Sequence, residues 1–286
     1  MLNLLKADLY RITRPRGLRG ALWQYLAVCA VLFFLVYIVL WMIAGGFDFS
    51  TGVVTSVTTF ASPSAMLGSA LGDLFPLIAS FFMVEHVLSD FKEGFVRNIV
   101  SSRTGKLSYF AERIVFAGIV TIVFFVAISL MLFILCMAIG GRFEMMDTPL
   151  AFASWAVATC LNTWALSVLS LIIAYGTRVT HVSYIAAFCL CSSLVPESLM
   201  LTSGLIQAFA PGFIGIADVL SELVCWMPSN LVSWLSAGGS QGMAEGWGSL
   251  GAALPGGGFT QALVAPLPWL AAASALVLAI CRKRDV

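Results

Sequence analysis

FKEGFVRNIVSSRTGKLSYFAERIV, residues Phe91–Val115, holds five of the chain's fifteen lysines and arginines, yet it lies between two long apolar segments. A short, charged, glycine-punctuated stretch in that position is the polar connector between two membrane-crossing helices. Composition agrees: of 286 residues, 60% are hydrophobic and only 10% charged, and the mean hydropathy is +0.99. A soluble domain covers its surface with far more charge, so the chain is read as an all-α integral membrane protein, one domain over residues 1–286.

A spanning helix needs about 20 mostly apolar residues. Six runs qualify: Leu22–Ala44, Leu67–Leu88, Ile114–Ile139, Leu150–Tyr175, Val182–Leu201 and Leu263–Cys281. Lysine and arginine near span ends set the orientation. With the N-terminus inside, only Arg142 of the fifteen basic residues faces out, while Asp48, Glu144, Asp147, Asp218, Glu222 and Glu245 gather outside. Both termini are therefore expected in the cytoplasm. The first twenty residues are polar or amphipathic and precede an apolar run too long for a signal core, which is unlike a cleavable signal peptide.

Between spans five and six, residues 203–262 are read as an outer segment. Within it, Phe213–Met227 lies between Pro211 and Pro228, with Ile216, Leu220, Leu223 and Met227 at helical spacing. It is short, carries Asp218 and Glu222, and as a seventh span would put Arg282, Lys283 and Arg284 outside. It is expected to be an amphipathic or re-entrant outer helix. Ala237–Gly258 holds nine glycines in 22 residues, a composition that resists helix and strand and predicts a flexible loop. The seven cysteines lie mostly in apolar runs, form no C-x-x-C pair, and read as small buried hydrophobes.

Two features sit on the inner face. In residues 1–20, Leu2, Leu5, Leu9 and Ile12 share one helix face while Lys6, Arg11 and Arg14 point elsewhere, as in a basic amphipathic helix lying on the inner leaflet. Residues 89–113 are longer than a minimal turn requires. Gly94 and Gly105 permit sharp turns, and Phe95, Val96, Ile99 and Val100 form an apolar patch beside Arg97 and Arg103.

LLKADLYRITRPRG before the first span resembles the openings of type-2 ABC exporter permeases. EGFVRNIVSSRTGKLSYFAER is similar to the pattern that family carries after its second span, with Gly94, Arg97, Asn98, Ile99, Val100, Arg103 and Arg113 in the matching places. Glu112–Arg113 departs from it, standing where Ser-Lys is common. The resemblance implies a cytoplasmic coupling hairpin in which Glu93, Gly94, Phe95, Arg97, Asn98, Ile99 and Arg103 dock on a separate ATPase chain. It also implies ATP and Mg bound by that partner and no cofactor in this chain, a second permease, identical or related, and a bacterial plasma-membrane location. The expected cargo is amphipathic or hydrophobic: a peptide antibiotic, a drug or a lipid-like molecule. Membrane lipid is the other expected partner, and nucleic acid is not expected.

Polar groups at membrane depth are functional candidates. Asp73 shares a face with Ser69, Pro76 and Ser80 near the outer end of span two, suited to the partner permease or the transport path, or else to the outer interface. Glu85 and His86 lie near its inner end, with Ser89 and Lys92 on the Glu85 face, and are read as a network tying the span to the hairpin. Glu197 follows the break at Pro196, and Asn162 and Ser167 suit interhelical hydrogen bonds. No catalytic motif is present: VSSRTGKL lacks the P-loop's first Gly and final Ser or Thr, and neither H-E-x-x-H nor G-x-S-x-G occurs. The chain is therefore not expected to be an enzyme. Two other classes stay open at this point: an ion-coupled transporter using Asp73, Glu85 and Glu197, and a non-transporting membrane anchor or sensor.

Overall fold

The computed structural model describes residues 2–13, 22–43, 59–92, 106–138, 141–244 and 246–283. Glu93, Gly94, Phe95, Arg97, Asn98, Ile99 and Arg103 of the expected coupling hairpin, and Arg14 of the N-terminal helix, lie outside the described residues.

The chain is almost wholly helical. Helix α1 (Leu2–Thr13) buries Ile12 and half-buries Leu5 and Leu9, as its periodicity predicts, with Lys6 exposed. Helix α2 (Leu22–Ile43) is apolar all round; Leu22 and Cys29 face the protein, while Val28, Val31, Leu32 and Leu35 face outward. A two-residue strand β1 (Thr59–Phe60) follows, then α3 (Pro63–Leu71) and α4 (Leu74–Lys92). Helix α5 (Lys106–Ala138) is 33 residues long, about 50 Å at 1.5 Å per residue, and so outreaches a hydrocarbon core of about 30 Å. Strand β2 (Arg142–Phe143) pairs with β1 in parallel, Thr59 opposite Arg142 and Phe60 opposite Phe143.

Helix α6 (Pro149–Thr177) is the axis of the fold. It packs against α4, α5, α7 (Thr180–Cys191), α10 (Pro228–Gly238), α12 (Gly257–Val264) and α13 (Pro266–Lys283). Its buried residues mix large side chains such as Trp155, Leu166 and Tyr175 with small ones, Ala158, Ala165, Ser167, Ser170 and Ala174, which let neighbouring backbones approach closely. The remaining elements are α8 (Leu194–Phe209), α9 (Ile214–Cys225) and α11 (Gly248–Ala253).

Four of the described helical stretches are long and apolar enough to cross a membrane: Leu74–Lys92, Leu107–Ala138, Pro149–Thr177 and Gly257–Ile280. There are five if α7 and α8, bent by 60° at their junction, form one span. The apolar helix Leu22–Val36 is shorter.

Four expectations change here. The continuous span Leu67–Leu88 is broken into α3 and α4, because Gly72 takes φ +40, ψ −141, a conformation open to glycine and strained for other residues. The span Val182–Leu201 is likewise bent. The helix stops at Ser192 and restarts at Leu194, placing Pro196 in a first turn where its missing N–H costs nothing. The glycine-rich stretch 237–258 is not a featureless loop, since it contains α11, a 3₁₀ turn at Gln241–Ala244 and the start of α12. Gly239 serves close packing there: at φ +57, an added Cβ would sit 2.5 Å from the Ala65 nitrogen of α3. In α9 the face turned to the protein runs through Ala217 and Val224, whereas Ile216 and Leu223 of the expected stripe are exposed.

Candidate functional site

Helices α1, α4 and α5 meet at one end of the bundle, where α4 stops at Lys92 and α5 starts at Lys106. The segment 89–113 is thus helical at both ends. Arg113, about two turns into α5, is fully buried. Its Nη1 donates to Asp8 Oδ2 of α1 at 2.7 Å, and its Nη2 donates to Asp90 Oδ2 of α4 at 2.6 Å. Asp90 also accepts from the Tyr109 hydroxyl at 2.8 Å and from Arg11 of α1.

The same Arg113 Nη1 lies 2.8 Å from His86 Nε2. A guanidinium only donates, so Nε2 is the acceptor and the imidazole is neutral in this arrangement. The His86 ring stacks on Phe82 and tilts against Phe116, and the guanidinium sits 4.8 Å over the Tyr109 ring. Glu112 completes the group; it is 1% exposed, and its Oε2 is 3.8 Å from Arg113 Nε. Burial alone would push the Asp8 carboxyl up. The Arg113 guanidinium that donates to Asp8 outweighs it and holds Asp8 below its ordinary value.

A buried ion network of this kind resists separation, since removing one partner leaves another charge dry and unpaired. Its chemistry is mechanical. Two arginines clamp three helices together at the root of the 93–105 connector. Among the described residues no group of His, Cys, Asp and Glu is arranged to hold a metal ion.

The residues singled out from sequence are dispersed around this clamp. Arg11 belongs to it and Lys6 is exposed beside it. Glu85 is half-buried and accepts from the Tyr25 hydroxyl of α2 at 2.5 Å; Ser89 donates to the His86 carbonyl, so the expected Glu85–Ser89–Lys92 network is replaced by other pairings. Ser80 is buried, 3.4 Å from Ser167 Oγ of α6 and 3.2 Å from Cys191 Sγ of α7. Asp73 sits at the α3–α4 break, exposed, and accepts from Ser233 of α10 at 2.7 Å. Twelve residues of helix put Asp73 and Glu85 about 18 Å apart, so the two do not share a site. Asn162 Nδ2 donates to the Ala262 carbonyl at 3.1 Å, joining α6 to α12. Glu197 is exposed in α8.

Asp8 and Asp90 were the residues sequence reading missed. Each left a signal. Asp8 falls on the buried face of α1 with Leu5 and Ile12, and Asp90 extends the buried series Met83, Val87 on α4.

At the opposite end, a second polar group holds the loops. Asp147 accepts from the Ser64 nitrogen at 2.8 Å, from Ser64 Oγ at 3.0 Å and from Ser240 Oγ at 2.5 Å. Burial opposes ionisation of Asp147, but these donors prevail and keep its carboxyl below the ordinary range. Glu222 of α9 accepts from the Ser249 and Leu250 nitrogens that open α11, at 2.9 and 3.0 Å. In comparisons with protein-family models and with curated proteins, nothing matches this chain.

Proposed function

We propose that this chain is the membrane subunit of an ATP-driven exporter of the second ABC type, working with a cytosolic ATPase and a second permease. In this reading six spans cross a bacterial plasma membrane: α2, α4 preceded by α3, α5, α6, the bent pair α7–α8, and α12–α13. The end carrying α1 and the chain termini is cytoplasmic. Residues 93–105, with Gly94, Arg97, Asn98, Ile99 and Arg103, form the coupling element that docks on the ATPase, which binds ATP and Mg.

The observation that supports this best is the Arg113 clamp. A soluble motor delivers force through a short connector, and the force is useful only if the connector's two roots move with the membrane helices as one body. Arg113 bonds α5 to α4 across the connector and both to α1. A push on residues 93–105 therefore reaches α1, α4 and α5 together, and through α6 the rest of the bundle.

The test is ATP turnover by the reconstituted permease with the ATPase encoded beside it. Reversing Arg97 and Arg103 to Glu is expected to abolish permease-dependent turnover or complex formation while leaving the melting temperature unchanged. A complex that stays intact and active with both charges reversed rules the coupling role out.

A further inference from the structure

Helix α4 carries two acids near its α1 end, and the fold treats them oppositely. Asp90 is fully buried and receives Arg11, Arg113 and Tyr109. Glu85, five residues earlier, is half-buried and receives only a neutral donor, the Tyr25 hydroxyl, on Oε2. Among the described residues no cationic side chain lies within ion-pair distance of it. A carboxylate inside a membrane helix is costly without a countercharge, and here the described residues supply none.

It supplies aromatic rings instead. Phe81, one turn before Glu85, meets Tyr184 of α7 edge to face at 5.0 Å between centroids. Tyr25 of α2 stands edge-on to Phe82 at 5.4 Å. Tyr25, Phe81, Glu85 and Tyr184 are all half-buried, none sealed and none fully exposed.

We propose that Glu85, Tyr25, Phe81 and Tyr184 bind an organic cation with an apolar body. The carboxylate provides the missing charge pairing through Oε1, while the rings offer π faces to a soft, weakly hydrated cation. A hard metal ion is disfavoured, because it demands six or more oxygen ligands where one carboxylate and two phenols stand. As a statement about cargo, the proposal rests on the permease reading and narrows its substrates to lipophilic cations; as a statement about binding, it does not need the ATPase.

The experiment uses the full chain in lipid nanodiscs without ATPase, titrated calorimetrically with tetraphenylphosphonium and, separately, with its isosteric anion tetraphenylborate. Saturable binding of the cation is expected, weakened at least about tenfold by Glu85→Gln, a change that keeps an acceptor for Tyr25. Tyr184→Leu, which removes a ring and no charge, is expected to weaken it about fivefold. Tetraphenylborate is expected to partition equally into wild-type and variant discs. Cation binding that is unsaturable, or of equal affinity in wild type and a folded Glu85→Gln, overturns the proposal. If Glu85→Gln fails to fold, unchanged affinity in Tyr184→Leu does so. Cation binding by a chain that neither captures nor stimulates the ATPase encoded beside it would keep the cation site and remove the permease reading, whereas a stimulated ATPase with no cation binding would do the reverse.

Discussion

The two ends of the bundle are held by different chemistry. At the α1 end, two guanidiniums neutralise carboxylates from separate helices, and Arg113 is wholly enclosed. At the other end, Asp147 pairs with no arginine among the described residues; it gathers hydroxyls and a backbone N–H from α3 and from the turn after α10. Charge-assisted pairs in a dry setting are unforgiving of separation, while hydroxyl and amide donors can exchange for water at modest cost. The first arrangement suits a joint that must transmit force as a rigid unit. The second suits loops that must be positioned yet remain able to open.

Removing the guanidinium of Arg113 should give the largest effect. Arg113→Leu leaves Asp8 and Asp90 in an enclosed site with only Arg11 nearby, and a loss of about 3–5 kcal/mol is expected. Thermal unfolding in nanodiscs would register it as a large fall in melting temperature. A variant that melts like wild type would mean the cluster is wet and the contrast between the two ends is false. Asp147→Ala is the matching lesion opposite, expected to cost about 1–3 kcal/mol. Its signature is local: faster amide exchange in α3 and residues 237–244, with α4 and α5 still protected. Loss of protection throughout would show that the two ends are one cooperative unit.

The fold and the clamp were legible to different degrees, for reasons visible in particular residues. The span expected at Leu150–Tyr175 is α6, Pro149–Thr177, bounded by a Thr148 N-cap with Pro149 behind it and by Arg178 in the left-handed region. Local signals suffice where hydrophobic length and caps coincide. The break at Gly72 was not foreseen, because a single glycine in an apolar run is compatible with an unbroken helix. The pairing of Arg113 with Asp8 links residues 105 apart, which no local pattern encodes; the acids show only as charges on faces that periodicity marks as buried. Glu85 stands out in the sequence as an acid within an apolar run, but its Tyr25 partner comes from another helix. The glycine-rich stretch misled because glycine content alone does not separate a flexible chain from one packed too closely for side chains, as Gly239 is against Ala65.

Acid should separate the ends further, and with a smaller effect. Asp147 and Glu222 both ionise below their ordinary values in the folded protein, so between folded and unfolded values the folded chain binds fewer protons. Their stabilisation is fully present above the unfolded carboxylate value of about 4 and is lost as pH falls through the folded one. Glu222 lies near the surface, its ionised form held by the Ser249 and Leu250 nitrogens and by Trp226, so its share is screened and small. Amide exchange at Ser249 and Leu250 is therefore expected to accelerate between pH 5 and about pH 3. Glu222→Gln should mimic that acceleration at pH 7 while barely moving the melting temperature. Asp8 shares the same sign, but its proton must enter an enclosed site beside Arg113, so α1 should keep its protection to lower pH than α11. If α1 opens first, the clamp is the weaker end, and the assignment of rigid joint and opening loop must be exchanged.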